Sequence, residues 1–161
     1  MTMTIRPARA PDAPQMAGIL NEIIRIGGTT AHQHERDPEA VGRAYIEGPG
    51  TICCFVAEED GRVIGFQAVG RNPGLPVTWG DIGTFVQVGI QARGIGARLF
   101  EATAAACRAE GVEMLNATIR LDNRPGLAYY ARIGFIDRET DPGWALEDGR
   151  VTGRVSRSFR L

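Results

Sequence analysis

Two glycines, Gly94 and Gly96, lie in the segment Gln91–Gly96, which follows a predicted strand and precedes a predicted helix. Glycines at such a turn let the backbone come close to a ligand, and the first N–H groups of the helix are free to bind an anion. The positive end of the helix dipole favours negative charge there, and Arg93 and Arg98 add positive charge beside it. The chemistry expected at this turn is the binding of a pyrophosphate.

Two common phosphate-binding motifs do not fit this turn. A P-loop needs Gly-Lys-Ser/Thr after its glycines, whereas Ala97 and Arg98 follow Gly96 here. A dinucleotide fingerprint needs a small residue where Leu99 stands, and it follows the first strand, whereas this turn comes after several strands. Taken alone, the two glycines fit a ligand-binding turn and a tight turn without a ligand equally well.

The elements that position this turn follow from apolar periodicity and from turn residues. A short opening strand is predicted, and Asp12 is expected to cap the first helix, with Gln15 completing a capping box. Asp37 and Pro38 predict the start of a second helix. The first helix shows apolar spacings of three and four along one face. That face consists of Met16, Ile19, Leu20, Ile23 and Ile24.

The second half of the chain alternates strands and helices. The pair Asp60-Gly61 predicts a tight hairpin, and residues 80–88 predict a strand with Ile82, Thr84 and Val86 on one face. The complete order is β-α-α-β-β-β-α-β-α-β-β. It predicts a single α/β (α+β) domain over residues 1–161, with a mixed, mostly antiparallel sheet flanked by helices.

Composition excludes several classes of protein. The chain has 161 residues, 43% hydrophobic and 23% charged, with a formal net charge of −1, unlike a basic nucleic-acid-binding protein. We see neither an apolar run long enough to span a bilayer nor a signal peptide, so we expect no membrane partner and a cytoplasmic location. The three cysteines lack CxxC spacing and only two histidines are present, so we expect free buried thiols and no metal.

Two motif blocks together resemble the GNAT superfamily of acetyltransferases. Gln91, Gly94 and Gly96 match its coenzyme spacing, Gln/Arg-x-x-Gly-x-Gly/Ala. The predicted element order also matches the GNAT fold. The second block of the family is an Asn followed at fixed offsets by a small residue, a Tyr and a Gly-Phe pair. The matching residues of the second block are Asn123, Gly126, Tyr130, Gly134 and Phe135.

The resemblance implies a binding site for acetyl-CoA as co-substrate. In the family two strands splay apart, the pantetheine arm lies along the fourth strand, and an N–H near Val86 holds the thioester oxygen. Asn123 is interpreted either as a helix cap or as a coenzyme ligand, and both roles are compatible. The expected coenzyme contacts are Phe85, Val86, Val88, Gln91, Arg93, Gly94, Ile95, Gly96, Ala97 and Asn123.

The resemblance also implies the catalytic groups. Tyr130 matches the family tyrosine that faces the coenzyme sulfur, and its phenol can donate a proton to the leaving thiolate. The neighbouring Tyr129 does not occupy this offset, and removal of its hydroxyl is expected to be nearly silent. Asp81, at the start of the fourth strand, is the predicted base, acting directly or through water. The other candidates for the base are His32, His34 and Glu35 in the loop after the first helix, and solvent.

The first helix and the following Thr29-Thr30 pair resemble the branch that includes phosphinothricin and methionine-sulfone acetyltransferases. This implies a small, amino-acid-like primary amine as acceptor, with Arg71 and Arg120 as candidate carboxylate ligands. The branch, together with the apolar alternation of the last strand, predicts a homodimer. Two alternatives stay open: a protein or peptide N-acetyltransferase, and a module that binds acyl-CoA without catalysis.

Overall fold

The computed structural model describes residues 2–90 and 93–161. Seven strands form one sheet within this part of the chain. The strands are β1 (Met3–Pro7), β2 (Thr51–Glu59), β3 (Arg62–Gly70), β4 (Trp79–Val86), β5 (Met114–Arg120), β6 (Ile136–Asp141) and β7 (Arg154–Arg160). The helices are α1 (Ala13–Ile26), α2 (Pro38–Val41), α3 (Ile95–Ala109) and α4 (Arg124–Ile133). The predicted element order is therefore observed.

The sheet has the strand order β1-β2-β3-β4-β5-β7-β6, and β4 and β5 form its parallel pair. This pair is short, because it runs only from Trp79 opposite Met114 to Asp81 opposite Asn116. Beyond Asp81, β4 stays paired with β3 while β5 stays paired with β7. The two strands thus separate, and a gap opens in the middle of the sheet.

Helices cover both faces of the sheet. The apolar stripe of α1, including Met16 and Leu20, packs against Val56 and Phe66 on one face. On the other face α3 packs through Ile95 and Leu99, which are fully buried. The predicted alternation of β4 is confirmed, since Phe85 joins the α1 side whereas Ile82 and Val86 join the α3 and α4 side.

The predicted capping box of α1 is wrong. A 3-10 turn, Ala10–Asp12, precedes the helix, so Asp12 already has helical dihedral angles and its side chain makes no cap hydrogen bond to the helix. The Asp12 carboxylate instead accepts from Arg9 N at 2.7 Å and pairs with Arg6 at 2.8 Å. The Gln15 side chain accepts from Val63 N on the sheet, at 2.8 Å, instead of turning back to the helix start.

Two other local predictions are confirmed. Asp37 caps α2 by accepting from Ala40 N at 2.7 Å, and the helix continues as a π turn over Gly42–Ile46. Asp60 and Gly61 join β2 to β3 with φ values of 52° and 76°, as a tight type I′ hairpin requires. The three cysteines are free thiols, with Cys54 and Cys107 buried and Cys53 half-buried.

Candidate active site

A cavity of about 450 Å³ opens at the gap between β4 and β5. Its walls come from the ends of β3 and β4, from β5 and from the loops that follow α1 and β6. Tyr130 and Asp81 both line it, so the two predicted catalytic residues lie in one cavity. The polar residues of the lining include Thr30, His32, Arg71, Asp81, Thr84, Thr118, Arg120, Tyr130 and Arg154.

The glycine turn leads directly into the backbone N–H groups at the start of α3. Gly94 precedes α3 with φ of 74°, a left-handed conformation that glycine adopts without strain. The N–H groups of Ile95, Gly96 and Ala97 form the first turn of α3, and no described residue accepts a hydrogen bond from them. Backbone N–H groups at the positive end of a fifteen-residue helix are suited to an anion.

Gly96 has a second role that the motif does not express. A Cβ at this position would lie 2.6 Å from Cε1 of Tyr129, so only glycine lets α3 approach this ring. The Tyr129 hydroxyl donates to the Gly96 carbonyl oxygen at 2.8 Å. This phenol therefore holds the first turn of α3, and we expect loss of the Tyr129 hydroxyl to reduce stability. The prediction that its loss leaves the rate nearly unchanged stays a prediction.

The arginines beside the turn have protein partners. Arg93 pairs with Glu59 through both carboxylate oxygens, and this ion pair lowers the pKa of the Glu59 carboxyl. Arg98 donates to the Met3 carbonyl oxygen at 3.0 Å. The charge of Arg93 is thus partly compensated, and the backbone donors become the principal anion-binding feature of the turn. Gln91, the first residue of the coenzyme motif, lies outside the described residues.

The unpaired edge of β4 lies beside this turn. Gln87 N donates to Ile64 O on the β3 side, so by strand alternation the N–H and C=O of Val86 and Thr84 are directed to the gap. Phe85, whose side chain belongs to the α1 side, directs its backbone to β3. Val88, beyond the end of β4, is half-buried. The edge at Val86 is therefore open to an extended ligand.

Asn123 is a helix cap. Its Oδ1 accepts from Gly126 N at 3.0 Å, and its Nδ2 donates to the Thr29 carbonyl oxygen at 3.1 Å. The first of these contacts begins α4, and the second fastens the loop after α1 to that helix. Gly134, with φ of 108°, ends α4 as predicted.

Tyr130 is buried at the base of the cavity, with 7% of its surface exposed. Its ring packs edge-on against Phe135 and Tyr129. Its hydroxyl lies 2.8 Å from Thr84 Oγ1 on β4. Burial is the main cause that raises the pKa of the Tyr130 phenol above its usual value, so the group stays protonated at neutral pH.

Asp81 lies at the point where β4 and β5 separate. Its Oδ1 accepts from Asn116 Nδ2 at 2.9 Å, and its Oδ2 accepts from Asn72 Nδ2 at 3.1 Å. Asn116 is itself held by Arg138, which donates to its Oδ1 at 2.8 Å. Two amides therefore orient the carboxylate at the cavity, and it retains free lone pairs that can accept a proton.

The loop candidates separate into one cavity residue and two surface residues. His32 lines the cavity, and desolvation together with the charge of Arg36 lowers its pKa, so the ring is neutral and can accept a proton. His34 points to Glu147, and Glu35 pairs with Arg25 at 2.6 Å. His34 and Glu35 do not line the cavity.

The two predicted carboxylate ligands differ in availability. Arg120 is 5% exposed, donates to both carboxylate oxygens of Asp122 and also donates to the Thr30 carbonyl oxygen, so its charge is already matched. Arg71 lines the cavity from an exposed position and donates to the Val77 carbonyl oxygen at 2.6 Å.

Sequence reasoning missed Arg154 and Trp144. The Arg154 guanidinium stacks 5.0 Å from the centroid of the Trp144 ring, and both residues line the cavity. No carboxylate in the described part of the chain pairs with Arg154. Only the position of β7 beside β5, where Arg154 lies opposite Arg120, brings this residue to the cavity.

Comparison with known proteins agrees with this geometry. The model of the acetyltransferase (GNAT) family matches residues 19–135. The chain therefore belongs to the acetyltransferase (GNAT) family, and the predicted fold and enzyme class are confirmed.

The curated relatives include two kinds of small-molecule acetyltransferase. The chain is 34% identical over 114 residues to a mycothiol acetyltransferase of Saccharomonospora viridis, covering 66% of this chain and 36% of that protein. It is 25% identical over 141 residues to an L-methionine sulfoximine/L-methionine sulfone acetyltransferase of Pseudomonas paraeruginosa, covering 84% of this chain and 81% of that protein. The chain thus spans about a third of the first relative and most of the second.

Solved structures share the whole fold. A phosphinothricin acetyltransferase from Sinorhizobium meliloti, in complex with acetyl-CoA, superposes with a TM-score of 0.83 at 21% identity, over 100% of this chain and 89% of that one. A GCN5-related N-acetyltransferase from Kribbella flavida gives a TM-score of 0.84 at 20% identity, over 99% and 98% of the two chains. The predicted resemblance to the phosphinothricin and methionine-sulfone branch is confirmed.

Proposed function

We propose that the protein transfers the acetyl group of acetyl-CoA to the primary amine of a small, amino-acid-like molecule. The observation that carries this proposal is the charge of the cavity that contains Tyr130. Among its described lining residues, Arg71 and Arg154 have no carboxylate partner whereas Asp81 is the one carboxylate, and the charge of Arg120 is matched by Asp122. The ring of His32 is neutral at neutral pH. A positive cavity favours an acceptor with a carboxylate over a simple amine. The named substrates of the curated relatives from Pseudomonas are likewise amino acid derivatives.

The described residues fit acetyl-CoA. The N–H groups of Ile95, Gly96 and Ala97 at the start of α3 suit its pyrophosphate, and the edge of β4 at Val86 suits an extended pantetheine arm with its thioester carbonyl. When bound, acetyl-CoA supplies an activated acyl group on a thiol leaving group. Phe85 lies on the same strand but directs its backbone to β3, and Val88 lies beyond the end of β4, so Val86 carries the proposed strand contact. Asn123 contributes by holding the start of α4.

The side chains divide the proton transfers between them. The attacking amine must be neutral, and Asp81 or His32 accepts its proton directly or through water. As the new amide bond forms and the carbon–sulfur bond breaks, Tyr130 donates its proton to the leaving sulfur. The raised pKa of Tyr130 suits this role, since the phenol enters each cycle protonated.

Arg154 is the proposed partner of the acceptor carboxylate, because Arg120 is already matched by Asp122. The change Arg154→Met keeps the stem that covers Trp144 but removes the guanidinium. We expect KM for an amino acid acceptor to rise about tenfold to a hundredfold, the usual cost of losing a charge-assisted hydrogen bond, with little change in KM for acetyl-CoA. Steady-state thiol release measures both constants.

A matched pair of acceptors provides the control. An amine that lacks only the carboxylate is expected to react poorly with the native enzyme and equally poorly with the Arg154→Met variant. Arg150→Met, at a fully exposed position outside the cavity, is expected to leave both acceptors unaffected. Equal turnover of the amino acid and the matched amine by the native enzyme would contradict an amino-acid-like acceptor.

None of the described helices is long and apolar enough to cross a bilayer. We propose a cytoplasmic location for the protein.

The protein is also proposed to be a homodimer. The apolar alternation of the last strand does not support a dimer, because Val155 and Phe159 pack in the protein core. The dimer proposal rests on the resemblance to the phosphinothricin branch and on the outer edge of β6, where Ile136 is 68% exposed. Light scattering at micromolar concentration is expected to give twice the mass of the chain, and a single-chain mass would exclude the dimer.

A further inference from the structure

Four polar side chains form a series of hydrogen bonds that runs from the buried face of the sheet to the wall of the cavity. Gln67, on β3, is fully buried and lies opposite Thr84 of β4. Its Nε2 lies 2.9 Å from Thr84 Oγ1 and 3.0 Å from the Tyr129 hydroxyl, while Thr84 Oγ1 lies 2.8 Å from the Tyr130 hydroxyl. The series thus joins the tyrosine that holds the glycine turn to the tyrosine in the cavity.

The directions of these hydrogen bonds follow from the available hydrogens. The carbonyl oxygen of Gly96 can only accept, so it uses the hydroxyl hydrogen of Tyr129. The oxygen of Tyr129 must therefore receive a hydrogen from Gln67, which fixes the amide with Nε2 towards the two hydroxyls. An Oε1 in that place would face the Tyr129 oxygen as a second acceptor.

Gln67 has no hydrogen left after these two contacts. An amide nitrogen carries two hydrogens, and they go to Tyr129 and Thr84. The other amide atom, Oε1, is buried without a partner among the described residues. A fully buried amide with one unmatched oxygen costs free energy, so its position is better explained by the two hydroxyls that it orients than by core packing.

The Thr84 hydroxyl lies 2.8 Å from the Tyr130 oxygen and also interacts with the Tyr129 oxygen. Because Gln67 already donates to Tyr129, we assign the hydrogen of Thr84 to the Tyr130 oxygen. Successive hydrogen bonds that run in one direction polarise one another, so the donation from Gln67 makes Thr84 a better donor. When Thr84 donates, the hydrogen of Tyr130 is free to point into the cavity. When Tyr130 gives up its proton, the hydrogen of Thr84 is already directed at the phenolate oxygen.

We infer that Thr84, oriented by Gln67, is a positioning residue that directs the proton of Tyr130 to the leaving sulfur and stabilises the phenolate that remains. This inference rests on the proposed acid role of Tyr130. Burial raises the pKa of Tyr130 whereas the hydrogen bond from Thr84 lowers it, which agrees with a stabilised phenolate. Tyr129 fixes the orientation of the Gln67 amide by accepting one of its hydrogens. Through this contact and its hydrogen bond to Gly96, Tyr129 connects the glycine turn to the proton donor Tyr130.

The test is a double-mutant cycle between Thr84 and Tyr130. Thr84→Val keeps the shape of the side chain and its preference for a strand but removes the hydroxyl. With saturating substrates, kcat is expected to fall about tenfold to a hundredfold, as for the loss of a hydrogen bond to a charged group, with both KM values little changed. Thr84→Ser restores the hydroxyl and is expected to recover most of the rate.

The decisive variant is Thr84→Val combined with Tyr130→Phe. Because Thr84 acts through Tyr130, the double variant is expected to be no slower than Tyr130→Phe alone. If Thr84→Val lowers kcat equally in the native enzyme and in the Tyr130→Phe variant, Thr84 does not act through Tyr130 and the inference is overturned. An unchanged kcat in Thr84→Val would also overturn it, and so would a Thr84→Ser variant as slow as Thr84→Val. If Tyr130→Phe alone keeps full kcat, Tyr130 is not the general acid, and the positioning role of Thr84 is excluded with it. Thermal melts of all the variants separate these results from loss of the fold.

Discussion

Replacement of Tyr130 by Phe is expected to lower kcat by about 10²- to 10⁴-fold, the range of a lost general acid. The ring keeps its contacts with Phe135, so the fold and the affinity for acetyl-CoA should change little. Burial raises the pKa of the Tyr130 phenol above its ordinary value near 10, so the donor is expected to stay protonated up to that pH and to be lost only above it. The variant should lack that alkaline loss, and a pH–rate profile measures it.

Tyr129→Phe is the matched control, because it removes a hydroxyl from the adjacent buried tyrosine. It removes one hydrogen bond from the Gly96 carbonyl oxygen and one from Gln67, so we expect a loss of about 1–3 kcal/mol in the free energy of unfolding. The proton donor at Tyr130 and the Thr84 hydroxyl both remain, so kcat should fall far less than in the Tyr130→Phe variant. A Tyr130→Phe enzyme with full kcat, or a Tyr129→Phe enzyme that is equally impaired in kcat, would remove the acid role from Tyr130.

Introduction of a negative charge at the start of α3 is expected to have the second large effect. Ala97 is exposed in the first turn, and its Cβ is tilted towards the helix N-terminus. Ala97→Glu favours the helix itself, since an acid near this end interacts well with the dipole. It repels a pyrophosphate bound to the neighbouring N–H groups, and the affinity for coenzyme A should fall about tenfold to a hundredfold. Calorimetry measures this affinity.

Ala105→Glu makes the same substitution on the same helix, at an exposed position more than two turns further on. We expect it to leave the affinity for coenzyme A unchanged at moderate ionic strength, because exposed charges beyond a Debye length are largely screened. The position of Ala97 also avoids the Gly96 site, where any side chain would displace the Tyr129 ring. Equal affinity in the Ala97→Glu and Ala105→Glu variants would exclude the start of α3 as the pyrophosphate site.

The order of the elements could be predicted because strong local signals mark them. Glycines at positive φ and an Asn cap delimit α3 and α4, and the hairpin at Asp60 has the residues its turn requires. The start of α1 at Ala13 agrees with the prediction, whereas its capping box was predicted wrongly for a physical reason. The Asp12 carboxylate pairs with the Arg6 guanidinium and does not cap its own helix, and this ion pair is a tertiary contact that local sequence does not indicate.

The residues of the candidate site could be predicted only where a local sequence motif or a strand end marks their positions. Tyr130 and Asp81 were located through the motif and through a strand end, and both line the cavity. Arg154 was missed, because it reaches the cavity only through the pairing of β7 with β5. The contacts of Gln67 join residues 62 positions apart, and no sequence pattern expresses a hydrogen bond of that range.

The most direct test of the proposed activity is transfer of an isotopically labelled acetyl group from acetyl-CoA, with the products resolved by mass spectrometry. The enzyme is offered a mixture of amino acids and their close derivatives in one vessel, and intact proteins and peptides in another. We expect label on the amino group of a small carboxylate-bearing acceptor, release of coenzyme A in equal amount, and loss of both in the Tyr130→Phe variant. Label confined to protein amines, or tight binding of coenzyme A without transfer to any amine, would contradict the proposed function.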